Sequence, residues 1–185
     1  MTTPWRPTKQ QLLDATGKVV PDLLKPGLRV VFCGINPGLY TGAVGHHFAR
    51  PGNRFWPALF AAGFTDRILS PFDERELLKR GYGITNVVMR TTATADQLTR
   101  DELREGGKQL IGKVRKYRPR VLAILGLGAY RTAWEKPKAV IGPQEERIGE
   151  TLVWVLPNPS GLNAHYQAND LAALFKELKA AADLE

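Results

Sequence analysis

Two asparagine–proline loops hold the residues of this chain best suited to chemistry. The first is Gly34-Ile35-Asn36-Pro37-Gly38, which follows the apolar run Val30-Val31-Phe32-Cys33 and continues as LYTGAVGHHFARPGNRFW. Glycine allows backbone to approach a ligand closely or to take positive φ. Proline fixes its own φ and biases Asn36 toward an extended conformation. Together they aim one polar side chain, Asn36, from a rigid frame. The second loop runs from Leu156 to Tyr166 and repeats the pairing as Asn158-Pro159-Ser160-Gly161-Leu162-Asn163, with an apolar Leu162 in polar, glycine-rich surroundings. Taken singly, each Asn-Pro reads as a turn that starts a connection. Two such loops after buried strands of one sheet point instead to a shared site.

Other chemistries fail on spacing. There is no G-x-x-x-x-G-K-[ST], GINPG lacks the G-x-G-x-x-G pattern, and Gly126 to Arg131 offers only a fragment of it. Ser160 has no nucleophile-elbow context. His46 and His47 are adjacent, which is not a metal-ligand spacing, and one cysteine, Cys33, provides neither a disulfide nor a metal framework. No metal and no cofactor are expected. Asp96 is the only carboxylate between the strand GITNVVM and the helix beginning near Thr99. It reads either as a solvated loop acid or as a group that helps activate water or counters a positively charged sugar.

The elements that must position these loops follow from periodicity. Residues 1–27 form a proline-punctuated lead-in with one short helix, TKQQLLDA, and 28–185 form a single domain. LRVVFCGI, GITNVVM, PRVLAILG and ETLVWVL read as strands. NRFWPALFAAGF, DERELLKRG, GAYRTAWE and QANDLAALFKELKAAADL read as helices, with Asn53 a candidate cap of the first. A long helix from Thr99 carries Glu102 three residues on, the pattern of a capping box. Strands apolar on both faces and separated by helices imply a mostly parallel sheet in a three-layer α/β/α sandwich. In such sheets ligands bind beyond the carboxyl ends of the strands, here the loops after Ile35, Met89, Leu125 and Leu156. Phe55 and Trp56 are expected in the core. Arg50 and Arg54 are candidates either for phosphate contact or for solvated surface.

Composition narrows the partner. The chain has 185 residues, a net charge of +8 and 43% hydrophobic residues. A basic balance suits a polyanion, nucleic acid being the commonest. The basic residues of GGKQLIGKVRKYRPR read as the solvated face of an amphipathic helix. No apolar run approaches a membrane span and no secretory signal precedes the domain, so a cytoplasmic location is expected, nucleoid-associated in a prokaryote. Beside a basic site, Leu162 fits a wedge that enters a duplex, as well as an ordinary surface leucine.

The stretches LRVVFCGINPGL, GHHFARPGNRFWPALFAAGFTD, GITNVVMRTT, ELREGGKQL and WVLPNPSGLN resemble the mismatch-specific uracil-DNA and thymine-DNA glycosylase family. The resemblance covers nearly the whole sequence and implies a monofunctional DNA glycosylase acting on uracil, or on thymine or ethenocytosine, opposite guanine. It implies that Gly34 to Gly38 hold the attacking water, with Asn36 positioning it against the sugar C1′. Phe48 would stack on a flipped base, backbone around Ile35 and Phe48 would bond its edge, and Thr41 would shape the pocket. Leu162 would fill the gap in the stack, with Gly161 and Asn163 on the widowed guanine. Double-stranded DNA carrying G·U or a related mismatch is the implied partner, and a monomer is expected. Two other readings remain: a catalytically weak damage-binding module of the same fold, and an unrelated α/β enzyme acting on nucleosides.

Overall fold

A computed structural model describes residues 5–184. Its centre is a five-stranded sheet in the order β2-β1-β3-β5-β4, formed by β1 (Val30–Gly34), β2 (Tyr82–Asn86), β3 (Val121–Leu125), β4 (Gly142–Ile148) and β5 (Thr151–Leu156). The first three and β5 run parallel, and β4 pairs antiparallel with β5. Because side chains alternate across a strand, Val30 and Phe32 enter one apolar layer while Val31 and Cys33 enter the other. Burial pushes the Cys33 thiol pKa up, in keeping with a small hydrophobe.

Seven α-helices and two 3₁₀ turns accompany the sheet in the described residues, the α-helices being α1 (Lys9–Asp14), α2 (Leu39–Val44), α3 (Phe55–Ala61), α4 (Glu76–Lys79), α5 (Arg100–Tyr117), α6 (Leu127–Ala133) and α7 (Ala168–Leu184). On one face of the sheet, Phe55, Trp56 and Leu59 of α3 meet Leu171, Phe175 and Leu178 of α7 around Phe32. On the other, Leu110 and Val114 of α5 and Tyr130 of α6 cover Val31, Cys33, Leu122 and Ile124. The result is the expected α/β/α sandwich, mostly parallel. Among the described residues, no helix is long and apolar enough to cross a membrane.

Three local features differ from the sequence reading. β4 escapes it because GPQEERI is largely exposed and polar and bulges between Pro143 and Arg147, which suits a protected sheet edge. α2 escapes because LYTGAV is short and glycine-containing. The helix expected from Asn53 starts at Phe55, and Asn53 instead accepts the Phe55 N–H through Oδ1 at 2.9 Å. The lead-in is bridged to the sheet edge, Leu23 pairing with Ile84 and Val19 with Arg90.

Candidate active site

β1 ends at Gly34, and its ladder with the β2 side continues into the loop. Val87 N–H donates to the Gly34 carbonyl, Val88 N–H to Ile35, and Thr92 N–H to Pro37, at 2.9, 2.9 and 3.1 Å. The Asn36 backbone is thereby laced to residues 87–92. Its side chain is fixed as well. Nδ2 donates to the Arg90 carbonyl at 3.0 Å and to Thr92 Oγ1 at 2.7 Å. Both amide hydrogens are thus engaged, and Oδ1 is left as the acceptor without a partner among the described residues.

Asn36 opens on a cavity of about 450 Å³, a size ordinary for small-molecule sites. Its walls include Gly34, Ile35, Pro37, Gly38, Thr41 and Phe48 from the first loop and Asn158, Ser160 and Leu162 from the second. The two Asn-Pro loops therefore meet at one edge of the sheet. Phe48 has φ of +51°, an unusual conformation for a bulky residue. Its ring stacks on Phe55, centroids 4.0 Å apart, and lines the cavity while partly buried. Thr41 supports this turn, since its Oγ1 accepts the Ala49 N–H at 3.1 Å.

The histidines have separate structural partners. His47 Nε2 donates to the Pro21 carbonyl at 2.8 Å, while the buried Glu74 carboxylate accepts His47 N–H and contacts His46 Nδ1.

The second loop is pinned from below by Arg54, which is half-buried and neither solvated surface nor free for phosphate. Its guanidinium donates to the carbonyls of Ser160 at 2.6 Å, Asn163 at 3.0 Å and Tyr166, and its own N–H donates to Pro159. Gly161 lies so close to Gly52 that a Cβ would fall 2.6 Å from the Gly52 carbonyl oxygen. Asn158 Oδ1 accepts the Ser160 N–H, and Asn163 Nδ2 donates to the Asn158 carbonyl. At the tip of this rigid loop Leu162 is 71% exposed.

Pro159, Gly161 and Asn163 shape the loop without lining the cavity, and Asp96 does not line it either. Asp96 is exposed on a single 3₁₀ turn and accepts a hydrogen bond from Thr94 Oγ1.

Three wall or support residues were not anticipated. Asn86, at the end of β2 opposite Gly34, is buried, lines the cavity and has no partner for Nδ2 among the described residues. Thr92 holds Asn36, and Arg90 contributes its carbonyl. The Arg90 guanidinium forks onto Glu102, and this pair, with the Thr99 N–H, holds the Glu102 carboxyl down to about 2. The signal for Asn86 was a polar residue in an apolar strand. Reading that strand through to Met89 placed the loop three residues too late.

The arrangement holds an oriented amide acceptor, a stacking ring, a buried amide beside both, and an exposed leucine on an anchored loop. Among the described residues no carboxylate lines this cavity, and the histidine on its wall, His47, has Nε2 committed to the Pro21 carbonyl. That favours orientation of a water over its deprotonation. A model of the uracil DNA glycosylase superfamily matches residues 21–181, a span that holds all five strands and both loops, and the chain belongs to that superfamily of DNA glycosylases.

Proposed function

We propose that the protein is a monofunctional glycosylase that flips uracil from G·U-mismatched duplex DNA and hydrolyses its N-glycosidic bond. The observation that carries this reading is the Asn36 amide, whose two N–H groups are bound at 3.0 and 2.7 Å so that Oδ1 is free to accept from water. A base inside a duplex is out of reach, so it must leave the stack to be processed. The flipped ring would stack on Phe48, and the Asn86 amide would pair with its polar edge. Backbone dipoles near Ile35 would stabilise the departing uracil anion, which needs little acid assistance to leave. Asn36 holds the water that attacks C1′. Because an amide is a poor base, rate enhancement rests on positioning and electrostatics, and the chemistry is slow.

Leu162 would fill the gap in the stack, an apolar wedge on a loop already immobilised. The Asn163 side chain is engaged within the loop, so recognition of the widowed guanine falls to backbone groups around Gly161 and Asn163. Asp96 follows Ala95 of the cavity wall, and its proposed part is to counter positive charge on the sugar. Full activity in Asp96→Asn removes it from the site. The protein is proposed to act as a monomer, with duplex DNA as its only required partner and no strand cleavage by β-elimination.

The test is excision on end-labelled DNA carrying one uracil opposite guanine, opposite adenine, or in a single strand. Alkali-dependent cleavage fastest on G·U supports the reading. Equal rates on all three contradict mismatch recognition, and cleavage without alkali contradicts monofunctional chemistry.

A further inference from the structure

Residues 8–19 precede the span matched by the superfamily model, yet they are built onto the catalytic edge. α1 is closed by a capping box between Thr8 and Gln11 and packs against α2, and its Leu12 reaches the cavity wall. Beyond α1 the chain runs antiparallel to the loop that holds Asn36, with Val19 bridging Arg90. Gly17 N–H donates to the Thr91 carbonyl at 2.9 Å. Thr91 returns two bonds to the Lys18 carbonyl, from N–H at 2.9 Å and from Oγ1 at 2.8 Å. The Thr91 side chain is fully buried.

Residues 90–92 are therefore held from two sides. One side is the catalytic loop, through Asn36 and Pro37. The other is the 17–19 segment. We propose that residues 17–19 are a positioning brace for Asn36, acting through the Arg90 carbonyl and the Thr92 hydroxyl. Connecting segments are intrinsically mobile, and a displacement of about 1 Å in a reacting group costs on the order of a hundredfold in rate. An extended segment that fixes Thr91, the residue between the Arg90 and Thr92 acceptors, and bridges Arg90 itself supplies that precision. The proposal rests on the reading of Asn36 as the water-holding residue.

The experiment compares full-length wild type, Thr91→Val, Thr91→Ser and Gly17→Pro in single-turnover excision on the G·U duplex, with half-saturation and thermal midpoint measured in parallel. Thr91→Val keeps the side-chain shape and removes the hydroxyl, whereas Thr91→Ser keeps the hydroxyl and removes the methyl group. The expected result is a maximal rate reduced several-fold in Thr91→Val and about tenfold in Gly17→Pro, with half-saturation unchanged and Thr91→Ser close to wild type. A structural role alone would lower the thermal midpoint of Thr91→Val and leave its maximal rate, measured well below that midpoint, at the wild-type value. That result, serine no faster than valine, or a change confined to half-saturation overturns the brace. If Gly17→Pro does not fold, the valine–serine comparison decides alone. Wild type that excises normally while the variants match it defeats the brace only. Wild type that excises nothing defeats the functional reading and the brace with it.

Discussion

A methyl group at position 34 would fall 2.5 Å from Asn86 Oδ1 and 3.4 Å from Phe48 Cζ. Glycine there lets the buried amide and the aromatic ring close on the same stretch of backbone. Gly34→Ala is therefore expected to displace both and to cut single-turnover excision about a hundredfold or more. Duplex binding, measured by gel shift, should persist because the Leu162 loop is untouched. An alanine variant as fast as wild type would show that the base does not sit there. Thr41 makes a smaller claim. Thr41→Val would leave the buried Ala49 N–H without an acceptor and should cost about 1–3 kcal/mol in urea unfolding. Residues of this site were legible where their type was odd for its place: an asparagine framed by glycine and proline, a leucine in a polar loop. Asn86 was also odd in its apolar strand, but its role, like that of Thr92, arises from long-range packing between the β2 side and the first loop and could not be assigned from sequence.

Arg54 shows how a helix end can build a loop. Its side chain bonds three carbonyls of the second loop, replacing the backbone partners that an irregular segment lacks. Arg54→Ala is expected to destabilise by about 2 kcal/mol or more, because hydrogen bonds to a charged donor are worth about 1.5–3 kcal/mol each and are not additive. Arg54→Lys should recover little of that, since an ammonium lacks the planar fork. Equal urea midpoints for wild type and Arg54→Ala would contradict the anchoring role.

The start of α5 has a pH-dependent counterpart. The folded-state pKa of Glu102 lies near 2, below its ordinary 4.5, owing first to Arg90 and then to the Thr99 backbone. Its contribution is complete above about pH 4.5 and is lost as pH falls toward 2. Glu102→Gln should flatten that limb of the acid titration followed by circular dichroism; an unaltered limb would contradict the assignment. This capping box was legible in sequence because Thr99 and Glu102 are local partners. The Arg54 anchor spans more than a hundred residues and left no local pattern.

At the scale of the molecule, parallel strands bring both Asn-Pro loops to one edge, as apolar runs alternating with helical patterns implied. The layers were legible because burial on both faces leaves continuous apolar sequence. β4 was not, because an exposed edge strand has no apolar period to read. The net charge of +8 predicts that half-saturation on duplex DNA rises steeply with added salt, because added salt lessens the entropic gain of releasing counterions from the DNA. A salt-independent value would argue against a phosphate-contacting surface.

Asn36→Ala against wild type on a G·U duplex under single-turnover conditions, with duplex affinity measured alongside, asks whether the Asn36 amide holds the attacking water. Wild type is expected to give alkali-labile cleavage that collapses in the variant, with affinity retained. Cleavage by the variant at the wild-type rate would contradict that role.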